Sequence, residues 1–169
     1  MMYTLKLLLI FILVSNCSGN KESLASKAPV DEINNVLNNW HNAAAEANFE
    51  NYFSKMSKDA VFIGTDATEN WQLKDFKVFA KPYFDKGKAW SFSTLKRQVY
   101  IGHTGDIAWF DELLDTQMEI CRGSGVMVLT SKGWKIQHYV LSMTIPNENV
   151  SEVVKIKEII ESQTKRNLQ

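Results

Sequence analysis

The chain has only two cysteines and three histidines, its acidic and basic side chains balance at 19 each, and its longest apolar run is short. Each shortage excludes something. His41, His103 and His138 are too far apart for an HxxxH pair and no CxxC or GxGxxG occurs, so neither a metal site nor a phosphate-cradling loop is indicated, and no cofactor is implied. With charges balanced and no block of one sign, nothing marks a nucleic-acid surface. The apolar run Leu7–Val14 falls far short of the ~20 residues that span a bilayer as a helix. What the chain does have is 45% hydrophobic residues and five tryptophans in 169 positions, enough for one substantial core and one domain.

The short apolar run, preceded by Lys6, has the form of the h-region of a secretory signal. It ends in "LVSNCSGN", where Cys17 resembles the lipidated cysteine of a bacterial lipoprotein, although Asn16 stands where that pattern has a small residue. The resemblance implies a signal peptide over residues 1–16, an acyl-modified Cys17, and an exported protein anchored to a membrane and facing the periplasm or cell surface. Acyl chains at ~0.8 kcal/mol per buried methylene would hold it there without a transmembrane helix. Ordinary signal cleavage near Ser15–Gly19 is the alternative. If Cys17 carries lipid, Cys121 has no disulfide partner and is expected to be a small buried side chain.

Residues 17–29 are polar, small and aperiodic, which predicts a flexible tether. Ile33, Val36, Leu37, Trp40, Ala44 and Ala47 then recur at helical spacing, and Phe49, Tyr52, Phe53 and Met56 continue a second stripe. "DAVFIG" reads as a strand. Asp66 and Glu69 have capping-box spacing, which favours a helix start over a catalytic carboxylate pair, and Phe76, Phe79, Ala80 and Tyr83 form a third helical stripe disturbed by Pro82. From Trp90 the period changes to two through four long segments separated by short turns, the pattern of consecutive antiparallel strands. Residues 147–169 have the spacing of a C-terminal helical extension.

This is an α+β order in which helices cover one face of a curved antiparallel sheet, closing a cone. "FIGTDATENW", "IAWFDELL" and "RGSGVMVLTSKGWKIQHYVLS" resemble a SnoaL-like domain of the nuclear transport factor 2-like superfamily, here over residues 30–146. The resemblance implies a cystatin-like roll with a pocket and a homodimer formed through the open sheet face. It does not fix a reaction, since the superfamily holds isomerases, cyclases, dehydratases and domains without activity.

Strand alternation selects which residues share the cavity. Trp134, Ile136, His138 and Val140 form one row of the last strand, and Arg122 and Ser124 share a face of the strand before it. In "IAWFDELL" either Ala108, Phe110 and Glu112 or Trp109, Asp111 and Leu113 face inward; the larger apolar area of tryptophan favours the second row. The expected pocket is therefore Trp40, Phe53, Trp71, Phe79, Tyr83, Trp90, Trp109, Asp111, Arg122 and His138, open to a small apolar or aromatic ligand. The polar trio has three readings: a network that orders the sheet, a set of ligand contacts, or catalytic groups of a cofactor-independent isomerase, cyclase or hydratase. In the last, Asp111 or His138 is the base and Arg122 steadies an oxyanion. His41 is expected at the solvated rim and His103 in a turn.

Overall fold

The computed structural model describes residues 21–169; Cys17 and the apolar run before it lie outside that range. Helix α1 (Lys21–Ala45) buries Ile33, Leu37, Trp40 and Ala44, a stripe at intervals of four, three and four that keeps one face toward the sheet. It runs unbroken through Pro29, so residues 21–29 are helical where a flexible tether was expected: the glutamate, lysine, alanine and leucine there favour helix, and one proline removes one backbone bond. A short α2 (Phe49–Ser54) follows, its start fixed by the Asn48 side chain, which accepts the Asn51 amide at 3.1 Å.

Strand β1 (Met56–Ile63) leads into a turn in which the expected capping box forms half of its pattern, without a helix: Glu69 reaches back to Asp66, while the Asp66 side chain takes the Thr68 amide and not that of Glu69. Asp66 Oδ1 accepts the Thr68 amide at 2.9 Å, and Glu69 Oε2 accepts the Asp66 amide at 3.2 Å. The chain then makes a short strand, β2 (Asn70–Gln72), and α3 begins only at Leu73, running past Pro82 to Asp85. The local bonds satisfied the helix-start signal, and pairing with β1 took the next three residues.

Strands β3 (Ser93–Ile101), β4 (Ile107–Thr116), β5 (Glu119–Thr130) and β6 (Gly133–Met143) form the expected antiparallel meander. The six strands lie in the order β2-β1-β6-β5-β4-β3, with β1 parallel to β6, so the sheet is mixed rather than wholly antiparallel. The helices α1, α2 and α3 cover one face. The other is open.

Two register facts decide which side chains reach the covered face. In β4 it takes Ala108, Phe110, Glu112 and Leu114, all buried, while Trp109 is 50% exposed on the open face and stacks on Tyr100 with ring centroids 5.9 Å apart. In β6 the pairing slips: Val126 faces His138, but Met127 faces Ile136, so Gln137 is an extra residue. That bulge re-phases the strand. Trp134 and Ile136 are buried before it, Tyr139 and Leu141 after it, and His138 turns to the open face.

The core between helices and sheet is mostly aromatic. Trp40 lies 4.9 Å from Tyr52 and 4.7 Å from Tyr139 by ring centroids, and Phe62 stacks on Phe76 at 4.1 Å. On β5, Gly123 and Gly125 face this core because no side chain fits there: a Cβ on Gly123 would strike the Tyr139 hydroxyl, and one on Gly125 the His138 carbonyl and the Phe110 ring. Cys121 is buried, with Sγ 3.5 Å from Thr116 Oγ1. After a single 3-10 turn (Asn147–Asn149), helix α4 (Val150–Asn167) buries no side chain and leaves Ile156, Ile159 and Ile160 exposed.

Candidate functional site

Two features occupy the space between helices and sheet. The first is a buried carboxylate, Glu112, held by three elements. Its Oε1 accepts from the ring N–H at His41 Nε2 at 2.9 Å and from the Tyr139 hydroxyl at 3.0 Å; its Oε2 accepts from Arg97 Nε at 2.8 Å and pairs with Arg97 Nη2 at 2.7 Å. Arg97 also reaches Asn38 Oδ1 at 2.8 Å and Thr94 Oγ1 at 3.0 Å, so the cluster fastens α1 to the sheet. Burial pushes the Glu112 carboxyl up, but the His41 hydrogen bond and charge and the Arg97 guanidinium outweigh it and hold the group below the ordinary carboxylate range. The Tyr139 hydroxyl is raised well above its ordinary value, first by burial and then by the Glu112 charge beside it. A carboxylate with both oxygens engaged and its pKa lowered is a poor proton acceptor.

The second feature is a cavity of about 190 Å³ at the mouth of the cone, between β1, β2, α3 and the segment before β3. Its walls are the rings of Phe62, Trp71, Phe76, Phe79, Trp90 and Phe92, with Met118 and Leu141 completing the apolar surface. Trp71 stacks on Phe79 at 4.4 Å and on Phe76 at 5.7 Å, so the wall is a continuous row of packed rings. Polar groups enter only at the rim, from Thr65, Glu69 and Gln117. The volume exceeds the roughly 150 Å³ of an engineered apolar cavity that takes up benzene, and suits one substituted ring or an alkyl group of similar bulk.

Of the residues expected to line a pocket, Trp71, Phe79 and Trp90 lie in these walls. Trp40 and Phe53 are buried in the core behind them, and Tyr83 is on the surface, its ring 5.5 Å from Phe79. Trp109, Asp111, Arg122 and His138 are not in the cone. They lie on the open face, where Asp111 and Arg122 approach to 3.6 Å as a solvent-exposed pair. Tryptophan area was a misleading guide, because a half-exposed stack with Tyr100 accommodates Trp109 on the open face, and the bulge at Gln137 displaced His138.

The polar groups that do face inward were missed. His41, expected at the rim, is 4% exposed, and Glu112 belonged to the row set aside. Their signal was present: Glu112 is in phase with Ala108, Phe110 and Leu114, and His41 follows buried Trp40 on α1. Two further polar atoms, Trp40 Nε1 and the Tyr52 hydroxyl, are buried without a hydrogen-bond partner among the described residues, and burial raises the Tyr52 hydroxyl well above its ordinary pKa. Among the described residues no cluster of His, Cys, Asp and Glu could hold a metal ion, and no helix is long and apolar enough to cross a membrane.

The family model of the SnoaL-like domain matches residues 33–146, from Ile33 of α1 to just past the end of the meander. The chain belongs to the SnoaL-like domain family. Solved structures share the fold of this SnoaL-like domain at low identity. An NTF2-like protein of unknown function from Pseudomonas putida KT2440 is 14% identical, with a TM-score of 0.61 over 73% of this chain and 92% of that one. The association domain of C. elegans CaMKII is 19% identical, with a TM-score of 0.58 over 70% and 98%. A protein with a cystatin-like fold from Nostoc punctiforme PCC 73102 is 9% identical, with a TM-score of 0.54 over 67% and 89%. No curated protein matches the chain. At these identities the likeness establishes the fold of the SnoaL-like domain and leaves its ligand to be argued from its own cavity.

Proposed function

We propose that this SnoaL-like domain is a binding module that holds one small, mostly apolar ligand in the cavity at the cone mouth. The observation that carries this is the division of labour between the two inner features: the mouth is a wall of rings with few polar groups, while the carboxylate deeper in the cone is saturated by His41, Arg97 and Tyr139. Such a cavity provides contact area and no free acid–base pair. The isomerase, cyclase or hydratase alternative rested on Asp111, Arg122 and His138, whose place on the open face speaks against it. A thermal-shift series with one-ring apolar compounds tests the reading. A ligand present at 100 times its Kd stabilises the fold by about 2.7 kcal/mol, whereas silence across the series defeats the proposal.

The same proposal places the module outside the cell membrane, anchored through lipid on Cys17 and paired with a second copy through the open sheet face. The "LVSNCSGN" segment supports the anchor. The exposed Tyr100–Trp109 stack and the Asp111–Arg122 pair support the dimer, since a face carrying both signs of charge around an apolar centre can match itself across a two-fold axis. The association-domain neighbour is consistent with pairing. Native mass spectrometry of protein extracted from membranes checks both points: it should give twice the mature mass, with acyl groups on Cys17. A monomer beginning at another residue overturns both.

A further inference from the structure

We propose that the ligand of the mouth cavity is a small organic cation, a substituted ammonium carrying an apolar group, with Glu69 as its counter-charge; this rests on the binding-module reading above. Six aromatic rings line the cavity, and Glu69 is the one ionisable side chain among its lining residues. Among the described residues no lysine, arginine or histidine lines it. Among the described residues the Glu69 carboxylate has a single hydrogen bond, from the exposed Asp66 amide at 3.2 Å, which leaves most of its acceptor capacity unspent at the rim of an apolar wall.

The backbone makes room for that carboxylate. Gly64 also lines the cavity, and a Cβ there would collide with Glu69 Oε2 and lie within 3.0 Å of the Glu69 Cβ. Gly64 does not have the positive φ that would require glycine for conformational reasons, so the missing side chain serves space alone. Rings attract a cation within about 6 Å of their centroids through their negative faces, and a nearby carboxylate adds to the attraction as water is excluded. An acid would meet a like charge with no base to answer it. A neutral isostere would gain contact area only.

The test is calorimetric titration of the full chain with three probes of similar bulk: phenyltrimethylammonium, neutral tert-butylbenzene and anionic benzoate. Phenyltrimethylammonium should bind at least tenfold more tightly than tert-butylbenzene, and benzoate most weakly. Glu69→Gln should remove that tenfold preference, with an unchanged circular-dichroism spectrum showing that the variant is folded. Gly64→Ala should do the same by displacing the carboxylate. Equal affinity for the cation and the neutral isostere, a preference for benzoate, or a preference for the cation that survives Glu69→Gln overturns the cation assignment while the cavity remains a binding site. Binding of none of the three overturns both.

Discussion

Replacing Glu112 with alanine is expected to lower the free energy of unfolding by about 3–5 kcal/mol, measured by chemical denaturation at neutral pH. The loss comes from what remains behind. Arg97, its side chain 5% exposed, would keep a guanidinium without its carboxylate, and the Tyr139 hydroxyl and His41 would lose their acceptor in a dry interior. A loss under about 1 kcal/mol would show that the cluster bears little of the fold's stability. The lowered pKa adds a pH signature. Because the folded value lies below the unfolded one, the folded state binds the proton less readily, so this contribution is complete above the unfolded value of ~4.3 and disappears as pH falls through the folded value. Stability of the wild-type chain should therefore fall on acidification through this window, and Glu112→Gln should flatten that part of the profile. An unchanged acid limb in the variant would assign the acid sensitivity to other carboxylates.

Phe62→Ala should cost about 3–5 kcal/mol and change ligand preference in the same variant. Phe62 is 6% exposed, stacks on Phe76 at 4.1 Å and on Tyr139 at 5.6 Å, and also forms part of the mouth cavity. Removing its ring opens the cavity inward, toward Trp40 and Tyr139, so compounds of two rings should gain affinity relative to one-ring compounds. Denaturation reads the first effect and competition titration the second. Since Tyr139 contacts Phe62 and Glu112 alike, the two substitutions share a partner, and their combined cost should depart from the sum of the single costs. Simple additivity would mean that core and polar cluster behave as independent units.

The sequence displayed its elements far better than its faces. Helical stripes on α1 and α3 and the change of period at Trp90 were legible because each is a repeated local signal, and repetition averages out exceptions. The candidate site depended on single-residue phase. One extra residue, Gln137, reversed the remainder of β6, and no composition or spacing rule marks such a bulge when both neighbouring rows contain apolar and polar residues alike. Ring size points to the Trp109 row and away from the Phe110 row, and misleads for a related reason: the open face's ability to stack Trp109 on Tyr100 is a cross-strand property invisible along the chain. The Asp66–Glu69 signal was real as hydrogen bonding and wrong as a helix start, because β1 offered the following residues a ladder. Trp71, Phe79 and Trp90 converge at one opening only because β2 and α3 meet there, a long-range arrangement of which the sequence shows only the parts.

The inserted position in β6 also bears on how domains of this shape diverge. A one-codon deletion at Gln137 would restore an even pleat and leave every later side chain on its present side, with Tyr139 and Leu141 toward the helices and His138 and Val140 away from them. Because the surplus residue is absorbed as a local bulge, a phenol and not an imidazole stays beside the carboxylate of β4 with or without it. A strand that bulges in this way can change length by one residue while its interior keeps the same inhabitants, so such domains can vary their outer face without rebuilding the inner one.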